Sequence, residues 1–117
     1  MDIRSVNKYV LGVALVAAAG LCAPAHAVDA DAARKLAQQN NCLKCHSVDK
    51  DKDGPAYKKV AEKYKGKANA EQRLIEHITN GEKAKFPDGH EEEHKIVKTS
   101  PAKDMAQVKN LVQWILA

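Results

Sequence analysis

The sequence predicts an all-α domain of about four short helices, on three observations. Four segments carry apolar residues at helical spacing between recognisable caps and stops. No run alternates apolar and polar residues as a half-buried strand would, and no repeat or second domain is visible. With one Trp and one Phe in 117 residues, the chain also has little large apolar material, as in small domains that a metal, a disulfide or a cofactor completes.

Residues 1–27 read as an address to be removed before any fold argument. Arg4 and Lys8 supply a positive start, Val10 to Leu21 an apolar run, and Ala25-His26-Ala27 a small-x-small cleavage site, together a signal peptide. A transmembrane anchor would need a longer run than one ending at Pro24. A lipid at Cys22 would want a small residue where Leu21 stands. The exported domain is therefore expected over residues 28–117. Taking Arg4 and Lys8 from the 19 basic residues and Asp2 from the 15 acidic ones leaves a net charge of +3. That excess is too small and too mixed for a nucleic-acid binder, and it favours recognition of a partner by a local patch.

The first helix is expected over Val28 to Gln39, capped by Asp29 or Asp31, with Ala32, Ala33, Leu36 and Ala37 as its apolar stripe and Asn40-Asn41 as its end. A polar loop from Asp49 to Gly54 leads through Pro55 to a second helix, Ala56 to Lys65, which carries Tyr57, Val60, Ala61 and Tyr64 on one face and stops at Gly66. The third runs from about Ala70 to Thr79 on Leu74, Ile75 and Ile78, with Asn80-Gly81 as a left-handed stop. Residues 82–99 show no sustained period. Ser100-Pro101 predicts the start of the last helix, which continues through Val108, Leu111, Val112, Ile115 and Leu116.

Between the first two helices stands Cys42-Leu43-Lys44-Cys45-His46, the pattern of covalent haem attachment. Two thiols three positions apart on a turn can each add to one haem vinyl group. The adjacent histidine then lies under the iron as its proximal ligand. A thioredoxin-like pair would need a strand-to-helix junction within a βαβ unit. A Cys42–Cys45 disulfide would close a very small loop and leave His46 without a role, and a zinc site would need further soft ligands. One haem c, bound through Cys42, Cys45 and His46 in a periplasmic protein, is the expected cofactor.

In the order of these features the chain resembles the small bacterial class I cytochromes c over nearly all of residues 28–117. The shared marks are a first helix running into Cys42-x-x-Cys45-His46, the stretch Gly54-Pro55-Ala56-Tyr57, the Asn80-Gly81 helix end, and Leu111-Val112-Gln113-Trp114 in the last helix. The resemblance implies a class I cytochrome c-like fold whose first and last helices cross, with Leu36 near Leu111 and Trp114. It implies that the Pro55 carbonyl accepts a hydrogen bond from His46, and that a basic residue near His77 reaches a haem propionate. It implies, finally, an electron carrier and not an enzyme.

The departure is on the distal side. The resemblance implies a methionine ligand 16 to 20 residues ahead of the aromatic matching Trp114, and no methionine stands there. Met105 lies nine residues before Trp114, on what the sequence predicts as the last helix. The window instead holds His94 and Lys98, with His90 just outside it. His94 is expected first as distal ligand, because neutral imidazole is a good ligand for low-spin haem iron. Met105, Lys98, which must first lose a proton, His90 and an open site are the alternatives. An open or labile sixth position would make the protein a gas sensor or weak peroxidase. Lys44, Lys50, Lys52, Lys58 and Lys59 flank the motif and predict brief docking onto acidic patches of redox partner proteins.

Overall fold

The structure, a computed structural model, describes residues 27–117. The expected signal peptide, apart from Ala27, lies outside the described residues. Among the described residues five helices and one two-stranded sheet follow one another: α1 Ala30–Gln39, α2 Cys42–Cys45, α3 Tyr57–Tyr64, α4 Ala70–Thr79, β1 Lys83–Lys85, β2 Glu91–Glu93 and α5 Met105–Leu116.

Helix α1 is capped by Asp29, whose carboxylate accepts from the Ala32 amide at 3.0 Å. Ala33, Leu36 and Ala37 are buried at i, i+3 and i+4, whereas Ala32 is exposed, one position off the stripe. Those three pack with Val108, Leu111 and Val112 of α5 and with Leu74 and Ile78 of α4, and Trp114 packs against the same cluster. The two terminal helices therefore meet as the resemblance implied. Their contact is locked at one end by Asn110, whose amide donates to the Asp29 carbonyl and accepts from the Asp29 N–H, both at 2.9 Å.

Two expectations are corrected. Residues 82–99 are not wholly irregular: β1 and β2 pair antiparallel, with Lys83 opposite Glu93, Ala84 opposite Glu92 and Lys85 opposite Glu91. Most side chains of the two strands are exposed, and only Ala84 and, at the turn, Phe86 are partly buried, an alternation too short to read as a strand. Its order comes from the backbone ladder, across which Lys83 and Lys85 stand opposite Glu93 and Glu91, and from a turn at Phe86–His90. There Gly89 takes φ +93° and the Phe86 amide donates to the His90 carbonyl at 2.8 Å.

The last helix does not start at Ser100-Pro101 but at Met105, behind an Asp104 N-cap. The Asp104 carboxylate accepts from the amides of Ala106 and Gln107, and the Gln107 side chain returns a bond to it at 3.0 Å. The Asp104 carboxylate thus accepts three bonds from the first turn, while its own N–H donates to the Thr99 hydroxyl, and Lys103 at φ +57° turns the chain into this cap.

Candidate functional site

One cavity lies between the attachment segment, the α4–α5 core and the hairpin, and the short-range backbone geometry explains how its proximal wall is built. Asn41 in the left-handed region at φ +56° lets α1 end and a separate single turn, α2, begin at once. On that turn Cys42 and Cys45 fall on one side, as residues three apart on a helix do, and both are half-buried free thiols. Burial pushes the Cys42 thiol up from its ordinary pKa, with the Tyr57 hydroxyl beside it pulling the other way. His46 leaves the turn extended, its amide still bonded to the Cys42 carbonyl at 2.9 Å.

The polar loop folds back under the histidine. The Gly54 amide donates to the Cys45 carbonyl at 2.7 Å, and the Tyr57 and Lys58 amides donate to the carbonyls of Ser47 and Val48. Pro55 is thereby presented to the ring: His46 Nδ1 lies 2.7 Å from the Pro55 carbonyl and must donate to it. The ring is held on two faces. Tyr57 stacks on it at 5.1 Å between centroids, and a Cβ on Gly54 would come within 2.4 Å of His46 Cε1. Leu74, Ile78, Leu111 and Ile115 supply an apolar back wall.

Asp51 holds this loop in shape. Its carboxylate accepts from the Ala56 amide at 2.9 Å and pairs with Lys59, and these contacts, the amide first, hold its pKa below the usual carboxylate value. A lowered folded-state pKa contributes stability that is present above the unfolded value and is lost as pH falls through the folded one. Asp51→Asn is therefore expected to lower the thermal midpoint at pH 7, with the gap from wild type closing below about pH 4. Thermal melts across that range check it; a gap that stays constant would show that the carboxylate charge is not what holds the loop.

The distal wall comes from His77 on α4, from Ala84 and Phe86 of the hairpin, and from His94, Ile96 and Val97 after β2. The His94 amide donates to the Glu82 carbonyl at 2.9 Å, and its Nδ1 donates to the Lys95 carbonyl at 2.8 Å. Burial depresses the pKa of His94 and favours its neutral form; the bond to the Lys95 carbonyl opposes this, and the nearby His77 and His46 rings add to it. The His94 and His46 ring centroids are 6.2 Å apart. Both Nδ1 atoms are spent on backbone carbonyls, so each neutral ring keeps its lone pair on Nε2. Two imidazoles held on opposite sides of one metal by bonds of about 2.0 Å would have centroids roughly 6 Å apart, close to this spacing.

The other expected residues divide cleanly. Cys42, Cys45, His46, Pro55, His77 and His94 all line the one cavity. His77 lies 4.5 Å from the His94 ring, and its Nδ1 is bonded to Glu82, which also accepts from Arg73 at 2.8 Å. Met105, Lys98 and His90 do not line the cavity. Met105 opens α5 with its side chain half exposed, and Lys98 is held by its backbone to Asn40. His90 stacks on Phe86 at the hairpin tip, where Asp88 raises its pKa. In the sequence Asn40 reads only as a helix end, Tyr57 as part of a helix face and Gly54-Pro55 as a family mark; the ring stack, the close approach to the glycine and the Phe86 wall leave no local signal.

The half-buried thiols one helical turn apart, the adjacent imidazole with a free Nε2 and the apolar back wall suit a covalently bound haem. Comparison with known proteins agrees. The family model for cytochrome c matches residues 30–117. Cytochrome c-551 of Allochromatium vinosum is 39% identical over 87 residues, 69% of this chain and 80% of that protein. Cytochrome c2 of Rhodocyclus tenuis is 35% identical over 82 residues, 70% of this chain and 87% of that one. Among solved structures, the class 1 cytochrome MtoD from Sideroxydans lithotrophicus ES-1 superposes with a TM-score of 0.71 at 68% identity, over 77% of this chain and 96% of that one. Wild-type Nitrosomonas europaea cytochrome c552 gives a TM-score of 0.56 at 32% identity, over 72% and 96% of the two chains. The chain belongs to the cytochrome c family, as a small class I monohaem member that transfers electrons through one covalently bound haem c.

Proposed function

We propose that the protein is a periplasmic carrier of single electrons whose haem iron is held between His46 and His94. The observation that carries this reading is the pair of rings 6.2 Å apart, each with Nδ1 committed to a backbone carbonyl and Nε2 left free. When bound, haem c supplies a reversible Fe³⁺/Fe²⁺ couple. The protein's own residues would do the rest: the Nε2 atoms of His46 and His94 would hold the iron and leave no position for a substrate, which makes the protein a carrier and not an enzyme. Leu74, Ile78, Leu111 and Ile115 exclude water from the interior side of the cavity. Imidazole supports the ferric state better than a thioether does, so the reduction potential is expected below that of relatives ligated by histidine and methionine.

The leader read in residues 1–27 supports the periplasmic location, and no described helix is long and apolar enough to cross a membrane. Lys44, Lys50 and Lys58 are exposed around the attachment segment, while Lys52 and Lys59 are partly engaged with the Leu43 carbonyl and Asp51. This basic surface suits brief, salt-sensitive docking onto an acidic patch of a redox partner.

Absorption spectra of both redox states, taken on wild type, His94→Ala and Met105→Ala, test the reading. Loss of the low-spin spectrum is expected in His94→Ala alone. Its loss in Met105→Ala alone would overturn the ligand assignment. Carbon monoxide binding to ferrous wild type within the mixing time would replace the carrier by a sensor or peroxidase with an open sixth position.

A further inference from the structure

We infer that Asn40 is the positioning residue that sets the distance between the proximal and distal sides of the haem site. The inference rests on the reading of His94 as distal ligand. The segment that carries His94, residues 94–99, belongs to no helix or strand. Its backbone is tied at three places. The His94 amide donates to Glu82 at the hairpin base, the Val97 amide donates to the Ile78 carbonyl on α4, and Lys98 meets Asn40.

The third tie differs in kind from the first two. The Asn40 side-chain amide donates to the Lys98 carbonyl at 2.9 Å and accepts from the Lys98 N–H at 2.7 Å, which is the pairing a neighbouring strand would offer. Asn40 is itself immobilised as the C-cap of α1, where its backbone and side-chain N–H groups both reach the Leu36 carbonyl. It stands two residues before Cys42. Among the described residues it makes the only hydrogen bonds between 40–46, which carry the attachment site, and 94–98, which carry the distal histidine. The ties to Glu82 and Ile78 hold the distal segment to the hairpin base and to the back wall of the cavity. Asn40 ties it to the proximal side, and so opposes the opening that would draw His94 away from His46.

Asn110 supplies a matched control. Its amide makes the same two bonds to the backbone of Asp29, at the other end of α1 and outside the cavity wall. Removing either amide costs the fold a two-bond backbone tie, and Asn40 one further bond to the Leu36 carbonyl within α1, but only Asn40 guards the distal segment.

The test is the rate at which cyanide displaces the distal ligand from the ferric holoprotein. Asn40→Ala is expected to speed displacement at least about tenfold, equivalent to about 1.4 kcal/mol of lost restraint, with Asn110→Ala within about twofold of wild type. Asn40→Asp keeps the acceptor for the Lys98 N–H and loses the donor, so it should fall between; it also serves if Asn40→Ala yields too little holoprotein. If the Asn40 variants react no faster than Asn110→Ala, while His94→Ala loses its low-spin spectrum, the positioning role is overturned and the ligand assignment stands. A low-spin spectrum unchanged in His94→Ala would overturn both.

Discussion

Gly54→Ala is expected to deprive the haem of its proximal histidine in most of the protein. An alanine Cβ would stand 2.4 Å from His46 Cε1, 2.7 Å from Nδ1 and 2.8 Å from Nε2, so it would press on the ring and not on one flexible tip. Ordinary carbon contacts need about 3.5 to 4.0 Å, so the ring would have to retreat by roughly 1 Å. It has nowhere to go. Tyr57 stacks on it, Nδ1 is tethered to the Pro55 carbonyl, and its backbone is fixed one residue after Cys45. Metal–ligand bonds tolerate displacements of only about 0.2 Å. The substitution is therefore expected to cut the recovered low-spin holoprotein to roughly a tenth of wild type or less, since a tenfold loss corresponds to only about 1.4 kcal/mol. Haem absorbance per milligram of purified protein measures it. A spectrum and yield equal to wild type would show that the loop can shift as a unit and that the glycine is not what admits the ring.

Leu111→Ala is expected to produce the largest loss of fold stability. Leu111 is 1% exposed and touches both halves of the molecule, packing in the α1–α4–α5 cluster and lining the back wall of the cavity. Truncating a buried leucine costs about 2.7 to 5 kcal/mol, set by how far the surroundings relax into the space. Relaxation is limited here, because the helices that would have to close in are held by Asn110 to Asp29 and by Asn40 to Lys98. In a domain this small, each kcal/mol moves the thermal midpoint by about 4 to 8 °C, so the holoprotein should melt at least roughly 10 °C lower. Far-ultraviolet circular dichroism against temperature measures the shift. A fall of less than about 5 °C would mean that the bound haem, and not the helix cluster, carries the stability of this region.

The two substitutions mark how differently sequence and structure report on this protein. Leu111 was legible from spacing alone, because an amphipathic helix repeats its buried residues every three to four positions whatever it packs against. The same rule found Leu36, Leu74 and Ile78, and α4 matches its sequence-derived bounds, Ala70–Thr79. The hairpin is hidden in the sequence because its apolar residues are only Ala84 and Phe86 and β2 is three exposed glutamates, too little to make an apolar period. The start of α5 was misplaced because Ser100-Pro101 is a good local start signal. The Asp104–Gln107 pair three positions apart was an equally visible and stronger one.

By itself the sequence determined that a haem is attached and where, because Cys42, Cys45 and His46 act through adjacency, and adjacency is written in the chain. It also narrowed the distal residue to a window. What only the tertiary structure decided is which residues of that window face the cavity, since 94–98 belong to no helix or strand and their direction comes from bonds to residues distant in sequence. His94 meets the cavity while Lys98, four residues on, is turned to Asn40. The tight seat of His46 against Gly54 is likewise invisible in one dimension: a glycine in a polar loop looks like any turn residue until the ring it admits is packed against it.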